Sequence, residues 1–276
     1  PVNIKPYCRQ DRDSRSAMHK EIEKMLRLGI IERTTSPWNS PVFLIPKPKG
    51  GKRFLVDFRG LNKVTESDAY PMVRFDDCMD QLGGSQWFSS IDLRAGFYGV
   101  PLSDQTKHLT AFTCSLGQFC FRVLPMGLKG SPASFNRLML KLFKKMQNKY
   151  LLVYVDDVLA YTVDFETHLY VLRTMFEILD QANLRINPKK CHFLKTRVTF
   201  LGHLLTRDGW TANPDNVRHI LAMDRPKSPS HAKSAIGASS YYRDLISHYA
   251  DISNPIQNLT KPKTRFMWEK IHQKSF

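Results

Sequence analysis

Residues 151–162, LLVYVDDVLAYT, carry the strongest structural signal in the chain, because two apolar, strand-like runs meet there at adjacent carboxylates. Asp is rare in strands and like charges repel, so Asp156 and Asp157 are stable only at a turn in water or beside a neutralising cation. The flanking runs therefore predict a tight hairpin with the aspartate pair at its tip. Because successive strand side chains point to opposite faces, we expect the two carboxylates to be inequivalent.

A third carboxylate, Asp92, ends another strand-like run, QWFSSIDL, at residues 86–93. Three carboxylates from two neighbouring strands suit two Mg2+ ions about 4 Å apart, which in phosphoryl transfer activate an attacking hydroxyl and neutralise a leaving pyrophosphate. An exposed Asp-Asp turn is the alternative interpretation of the pair alone. The two apolar strands and the additional Asp92 favour the metal site.

The charge balance predicts a polyanionic partner. The 276 residues include 41 Lys and Arg against 25 Asp and Glu, which gives a net charge of +16, and an excess of this kind is typical of nucleic-acid binding. Residues 61–120 reverse the balance, with 4 basic and 7 acidic side chains. An acidic segment in a basic molecule fits a cation site that faces a polyphosphate, and a solvated acidic face is the alternative.

Composition excludes several other classes of protein. A hydrophobic content of 42% with 24% charged residues is ordinary for a globular chain, and no apolar run reaches the roughly 18 residues of a membrane span. The five cysteines form no CxxC pair, so we expect neither a disulfide framework nor a zinc site. The chain opens on Pro1-Val2 without a signal or transit pattern, and we therefore expect a piece of a longer precursor.

The remaining elements follow from periodicity and turn residues. An amphipathic helix is predicted over residues 11–28, with Gly29 at its end. Ser131 and Pro132 are predicted as the N-cap and first residue of another helix, and the pattern is all-helical beyond Asn213-Pro214. The other predicted elements are a hairpin of residues 42–45 and 53–58 with a basic tip, strands within 110–123 and 198–205, and a helix over 168–179.

The motif Tyr154-Val155-Asp156-Asp157 resembles the YxDD box of reverse transcriptases. Further blocks in the same order are similar to the polymerase of gypsy-type long-terminal-repeat retrotransposons and their retroviral relatives. Each block alone is weak, but the ordered set is specific and covers nearly all of the chain. These blocks are SPWNSPVFLIPKPKGGKRFLVDFRGLN, FSSIDLRAGF, TAFTCSLGQFCFRVLPMGLKGSPASF, NPKKCHF, FLGHLL and SYYRDLISHYADISNPI.

The resemblance implies an α+β fold of the right-hand polymerase type, with an antiparallel sheet and its flanking helices as the palm. The fingers would comprise residues 1–66 and 100–130, the palm 67–99 and 131–208, and the thumb 209–276. We expect the chain to end before a connection or ribonuclease H region, so template degradation is not expected of it. Protease and integrase are expected elsewhere in the parent precursor.

The resemblance also implies roles for single residues. Asp92 and Asp156 would hold both catalytic metals, with Asp157 as a looser ligand and the Leu93 carbonyl as a further one. Nucleotide binding would involve Lys47 or Lys49, Arg53, Met126, and Phe97 as an aromatic gate beneath the sugar. Contacts to primer and template would come from Tyr154, Leu201, Gly202, His203, Gly237, Tyr241, Tyr242 and Arg243.

The implied function is an RNA- and DNA-templated DNA polymerase that extends a primer 3′-hydroxyl with deoxynucleoside triphosphates and releases pyrophosphate. Its cofactors would be two Mg2+ ions, with Mn2+ as a substitute. Its partners would be an RNA template, a DNA primer, RNA/DNA hybrid and duplex DNA, with no membrane and with a homodimer left open. An intracellular location is expected from the resemblance and is not encoded in the sequence.

Two rival functions remain open at this point. The chain could be a silent relative that only binds nucleic acid, which the intact Asp92, Asp156 and Asp157 disfavour. It could instead be a palm polymerase that makes RNA, which Phe97 disfavours.

Overall fold

The computed structural model describes residues 12–46, 50–68, 70, 79, 81–262 and 264–276. Its α-helices are α1 Arg12–Arg27, α2 Arg59–Val64, α3 Ser131–Leu142, α4 Phe165–Gln181, α5 Pro214–Leu221, α6 Pro229–Ser240, α7 Tyr249–Asn258 and α8 Lys270–Ser275. Its strands are β1 Ile31–Arg33, β2 Val42–Pro46, β3 Lys52–Val56, β4 Trp87–Asp92, β5 Phe112–Cys114, β6 Gly117–Phe121, β7 Leu151–Tyr154, β8 Asp157–Thr162, β9 His192–Lys195, β10 Arg197–Phe200, β11 His203–Thr206 and β12 Gly209–Ala212. This mixture of helices with antiparallel strands confirms the predicted α+β class.

A four-stranded antiparallel sheet of order β7-β8-β4-β9 carries the aspartates. Strands β7 and β8 form the predicted hairpin, in which Tyr154 pairs with Asp157. The tip differs from the prediction, because Asp157 is already the first residue of β8 and only Val155 and Asp156 form the turn. Val155 has a left-handed φ of 57°, which closes the turn one residue earlier than expected.

Both faces of this sheet are buried. On one face, Val153 and Val158 belong to a core that includes side chains of α3 and α4. On the opposite face, Leu152 and Leu159 belong to a second core shared with β10 and β11. Strands that are buried on both faces read as continuous apolar runs, which explains why the hairpin sequence lacks polar alternation. Burial of each large side chain stabilises the fold by about 1.5–3 kcal/mol.

A fully buried histidine, His168 on α4, connects the helix to the sheet. Its Nε2 lies 2.8 Å from the hydroxyl of Ser89 on β4, and its Nδ1 lies 2.9 Å from the hydroxyl of Thr162 on β8. The backbone N–H of Leu194 on β9 also donates to Ser89. Burial lowers the pKa of His168, so this network is built on a neutral ring.

The N-terminal part packs α1 against two small sheets, the β2-β3 hairpin and a sheet of order β1-β6-β5. Met18, Ile22 and Met25 form the buried face of α1, and they pack in one core with Phe112. Gly29 follows the helix with a φ of 67°. The predicted amphipathic helix and hairpin are therefore confirmed.

The start of α3 differs by one residue from the prediction. Gly130 occupies the N-cap position, and Ser131 is the first helical residue. The Ser131 hydroxyl does not cap the helix, because it donates to the Pro125 carbonyl at 2.7 Å and is buried there. A pattern of residue types does not distinguish a capping serine from one whose hydroxyl bonds a preceding loop.

A three-stranded sheet, β10-β11-β12, is followed by helices α5 to α8. Asn213 caps α5 by accepting a hydrogen bond from the Asp215 N–H, which confirms the helical pattern predicted beyond this point. Strand β12 pairs with β11 over its 4 residues, so this sheet extends past the expected palm–thumb boundary at residue 208. The division into fingers, palm and thumb stays a prediction. No helix among the residues described is long and apolar enough to cross a membrane.

Candidate active site

The central sheet brings the three predicted carboxylates together. Asp92 ends β4 directly opposite Asp157 at the start of β8, and Asp156 lies in the adjoining turn. Directly opposed residues of an antiparallel pair have Cβ atoms about 4.5–5.5 Å apart and share one face of the sheet. Asp92 and Asp157 are therefore a cross-strand pair, whereas Asp156 leaves the hairpin from its turn. As predicted, the two adjacent aspartates are inequivalent, because Asp157 belongs to strand β8 and Asp156 lies in the turn. Their separate roles as metal ligands stay predictions.

The three carboxylates carry more negative charge than the nearby lysine balances. Burial raises the pKa of Asp157, and the charges of Asp156 and Asp92 raise it further. The ammonium of Lys190 lies 2.9 Å from Asp92 Oδ2, and this pairing raises the pKa of Lys190. One lysine thus faces three carboxylates, so the cluster favours an additional cation.

The donor atoms of the cluster fit a hard divalent cation, which prefers carboxylate and carbonyl oxygens. As they stand, no three His, Cys, Asp or Glu side chains in the described part of the chain are grouped closely enough to hold a metal ion. In this arrangement the ammonium of Lys190 contacts Asp92 Oδ2. The Lys190 side chain is 66% exposed, so it has room to move away from Asp92. Leu93, the further predicted ligand, is buried, and its backbone forms a bridge with Ile186.

A cleft of about 410 Å³ lies between α1, β3 and the segment that follows β4. Arg53 and Met126, two of the predicted nucleotide-binding residues, line this cleft. Phe97 does not, because it is only 7% exposed and packs against Phe135 with ring centroids 5.1 Å apart. Its neighbour Tyr98 lines the cleft instead. The predicted Lys47 and Lys49 lie outside the described residues.

The residues predicted to contact primer and template divide into two groups. Leu201 and Gly202 form the turn between β10 and β11, and His203 is the first residue of β11. Tyr241 and Tyr242 contact this turn directly. Tyr154 packs on the same core as the turn. Gly237 lies on α6, where an added Cβ would meet open space. Arg243 begins a short helical turn, and its Nε lies 3.6 Å from Asp244 Oδ1.

Sequence reasoning gave no role to two residues that the structure places at the site. Lys190 belongs to the block NPKKCHF, and the pair of adjacent lysines in this block was the available signal. Tyr98 adjoins Phe97 in the sequence, and only the fold shows that Tyr98 lines the cleft. Both assignments depend on packing between distant segments, which residue spacing does not reveal.

Comparisons with known proteins agree with this geometry. The profile of the family described as reverse transcriptase (RNA-dependent DNA polymerase) matches residues 45–205, more than half of the chain. The chain therefore belongs to the reverse transcriptase family. It is similar to the retrovirus-related Pol polyproteins of two Drosophila melanogaster transposons: opus, at 38% identity over 90% of the chain, and gypsy, at 32% identity over 88% of the chain. These relatives confirm the resemblance to gypsy-type retrotransposons.

The chain spans about a quarter of these polyproteins, 25% of the opus protein and 24% of the gypsy protein. Solved structures of a foamy viral protease-reverse transcriptase are similar over nearly the whole chain. The complex with RNA/DNA hybrid gives a TM-score of 0.86 at 26% identity and covers 99% of this chain and 37% of that one. The complex with dsDNA gives 0.88 at 26% identity and covers 100% and 58%. This likeness confirms the predicted polymerase fold.

Proposed function

We propose that this chain is a polymerase core that extends a primer 3′-hydroxyl with deoxynucleoside triphosphates on an RNA or DNA template and releases pyrophosphate. The observation that carries the proposal is the cross-strand pair of Asp92 and Asp157 beside the turn of Asp156, in a chain of the reverse transcriptase family. The pair gathers negative charge at the end of two buried strands. Such an arrangement is costly to the fold without a cation, so it supports a metal-dependent reaction.

Divalent cations are general to this family, and we propose two Mg2+ ions, with Mn2+ as a substitute. Asp92, Asp156 and Asp157 would hold them, with the Leu93 carbonyl as a further oxygen. Bound ions would supply activation of the primer hydroxyl and neutralise charge at the leaving pyrophosphate. Lys190 balances part of the charge of Asp92 in the metal-free chain, and its exposed side chain would free that oxygen for a bound ion.

The nucleotide would bind in the cleft lined by Arg53, Met126 and Tyr98. Lys52 and Arg53 give this cleft positive charge, which suits a triphosphate. Met126 and Tyr98 provide an apolar wall for the base and sugar. Phe97 is the proposed gate on the motif match alone, since Tyr98 and not Phe97 lines the cleft and the Phe97 ring packs against Phe135.

RNA/DNA hybrid and duplex DNA are the proposed nucleic-acid partners, since the solved foamy viral relatives are in complex with each. The net charge of +16 supports binding through phosphate contacts. The exposed face of helix α3 and the segment that follows it is one candidate surface, with Arg137, Lys141, Lys144 and Lys145. Phosphate contacts predict little sequence preference and a steep loss of affinity with salt.

Primer extension tests this proposal. With oligo(dT) on poly(rA), Mg2+ and dTTP, the chain is expected to extend the primer. Asp156→Asn is expected to abolish extension while duplex affinity is retained, because the carboxylate serves chemistry and not the phosphate contacts. Asp208→Asn, which changes a side chain that is 82% exposed, is the matched control and should retain full activity. Equal extension by wild type and Asp156→Asn would exclude the proposed site.

The same assay separates the rival functions. A chain that only binds nucleic acid would show duplex affinity without extension by the wild type. An RNA-making polymerase would prefer ribonucleotides, whereas we expect preference for deoxynucleotides. Phe97→Ala should raise ribonucleotide incorporation relative to deoxynucleotide incorporation, and an unchanged ratio would remove Phe97 from the gate role.

A further inference from the structure

The turn between β10 and β11 is strained. Its two residues lie in the left-handed region, Leu201 with φ 44° and Gly202 with φ 71°. A two-residue hairpin turn with positive φ at both positions suits glycine, but a leucine in this region is strained by about 1–2 kcal/mol. Contacts to its carbonyl stabilise Leu201 in this conformation, and one of them is local, since His203 Nδ1 lies 2.9 Å from the Leu201 carbonyl oxygen.

Two tyrosine hydroxyls supply such contacts. Tyr241 Oη donates to the carbonyl oxygen of Leu201 at 2.6 Å, and Tyr242 Oη donates to the carbonyl oxygen of Gly202 at 2.8 Å. Both tyrosines directly follow helix α6. Asn216 of α5 donates to the Tyr242 hydroxyl at 2.9 Å. The two turn carbonyls are thus bonded to the C-terminal helices.

The close approach of the two parts explains the glycine of the turn. A Cβ atom on Gly202 would lie 3.2 Å from the ring of Tyr241 and 3.3 Å from the amide nitrogen of Asn216. Both distances are tighter than ordinary van der Waals contact. Gly202 therefore serves the positive φ and also the approach of Tyr241.

The ring of His203, the first residue after the turn, is enclosed by aromatic side chains. Its centroid lies 5.4 Å from Tyr241, 5.1 Å from Tyr242 and 5.1 Å from Trp210. Burial lowers the pKa of His203, so the ring packs in its neutral form. The contact between turn and helices is therefore a packed interface, with the two hydroxyl hydrogen bonds at its edge.

The packing around the turn extends to the hairpin that carries Asp156 and Asp157. Leu201 and Tyr154 pack against the same core, between the central sheet and β10-β11. Tyr154 lies directly opposite Asp157 in the hairpin. The turn that contacts Tyr241 and Tyr242 and the hairpin that carries the aspartates thus pack against one shared core.

We infer that Tyr241 and Tyr242 are positioning residues whose hydroxyls hold the 201–202 turn to helix α6, so that turn and helix move together relative to Asp92. This inference rests on the proposed function and on the primer contact that the family resemblance implies for Leu201 and Gly202. It differs from direct contact with nucleic acid, because the hydroxyls are used within the protein. Loss of the hydroxyls would displace the primer terminus, while phosphate contacts would still bind the duplex.

The test compares the double variant Tyr241→Phe/Tyr242→Phe with the control Tyr249→Phe. Tyr249 bonds Ser239 and Ile236 within the C-terminal helices, so its variant removes a hydroxyl of the same region without touching the turn. In the double variant, amide hydrogen exchange is expected to rise about tenfold at residues 200–204 and at Asn213, whose N–H donates to the Gly202 carbonyl. Exchange of the central sheet should stay unchanged. The control variant should leave exchange of the turn unchanged.

The kinetic arm measures single-nucleotide incorporation. We expect kcat to fall about tenfold in the double variant, equal to about 1.4 kcal/mol, because the primer terminus is held less accurately. KM for the nucleotide and Kd for the duplex should stay within about twofold of wild type, since neither contact has changed. A merely structural role would instead lower thermal stability and weaken duplex binding together with kcat.

The outcomes separate this inference from the proposed function. Unchanged exchange at the turn, or an equal effect in Tyr249→Phe, would overturn the inference that the two hydroxyls hold the turn to α6. Unchanged kcat alongside faster exchange would overturn the positioning role. A wild-type chain without primer extension would overturn the proposed function and with it the positioning role, while the exchange data would still decide whether the hydroxyls hold the turn.

Discussion

Asp157→Asn is expected to stabilise the metal-free chain, because it removes one of three clustered negative charges and keeps the size of the side chain. Asp157 lies directly opposite Asp92, and two charges about 5 Å apart repel by about 3 kcal/mol at an effective dielectric constant of 20 and by about 1 kcal/mol in bulk water. Loss of the attraction to Lys190 offsets part of the gain. We expect the free energy of unfolding to rise by about 1 kcal/mol, and Tm by about 2–4 °C.

The effect depends on pH in a defined direction. The pKa of Asp157 is raised in the folded chain from its ordinary value of 3.8, so the folded state binds this proton more tightly than the unfolded state does. Ionisation of Asp157 therefore destabilises the fold. The advantage of the variant should be absent where Asp157 is protonated in both states, grow as pH rises from about 4 through the raised folded pKa, and stay constant above it.

Thermal unfolding in EDTA, followed by circular dichroism, measures this difference. Added Mg2+ should raise the Tm of the wild type more than that of the variant, because the wild type offers one more carboxylate. Asp208→Asn, with its exposed side chain, should have the wild-type Tm in both conditions. A Tm for Asp157→Asn in EDTA that is equal to or below that of the wild type would refute the reasoning that the carboxylates repel.

Two further substitutions test the packing around the site. His168→Leu removes the partner of the Ser89 and Thr162 hydroxyls, so we expect a loss of about 1–3 kcal/mol in urea denaturation. Burial lowers the pKa of His168 below its ordinary value of 6.5, so the stability that the neutral ring supports in the wild type should fall as pH drops through 6.5. A wild-type stability that does not change with pH in this range would contradict this. Gly96→Ala would place a Cβ 2.7 Å from the ring of Phe135, and we expect a loss of about 1–3 kcal/mol; unchanged stability would show that the ring has room to move.

The sequence was sufficient for features that depend on local pattern. Apolar runs predicted the hairpin around Asp156, and period-3.6 spacing predicted the buried face of α1, because burial imposes both patterns on the chain. The proximity of Asp92 to the aspartate pair was predictable because Asp92 and Asp156 each follow an apolar run, but the strand register that places Asp157 opposite Asp92 was not. Ser131 shows the limit of such patterns, since its hydroxyl bonds a loop carbonyl that only the folded chain brings near.

Contacts between distant segments were beyond sequence reasoning. Lys190 lies 98 positions after Asp92, and nothing in its local sequence distinguishes it from the lysine beside it. The bonds from Tyr241 and Tyr242 to the turn depend on how the helices dock against β10-β11, whereas the sequence suggested contact with nucleic acid. Phe97 and Tyr98 are adjacent aromatics, and only packing decides which one faces the cleft.

The order of the central sheet has a consequence for the folding of the chain. Strand β4 is an inner strand, and both of its neighbours, β8 and β9, come from much later in the sequence. Pairings of such high sequence separation form slowly, because the intervening chain must be ordered first. During synthesis from the N-terminus, Asp92 therefore stays separate from its acidic partners until the later strands emerge. The repulsion between the carboxylates is therefore met only after β8 has been made and pairs with β4, so a ribosome-bound fragment that ends before residue 156 contains Asp92 without the carboxylate cluster.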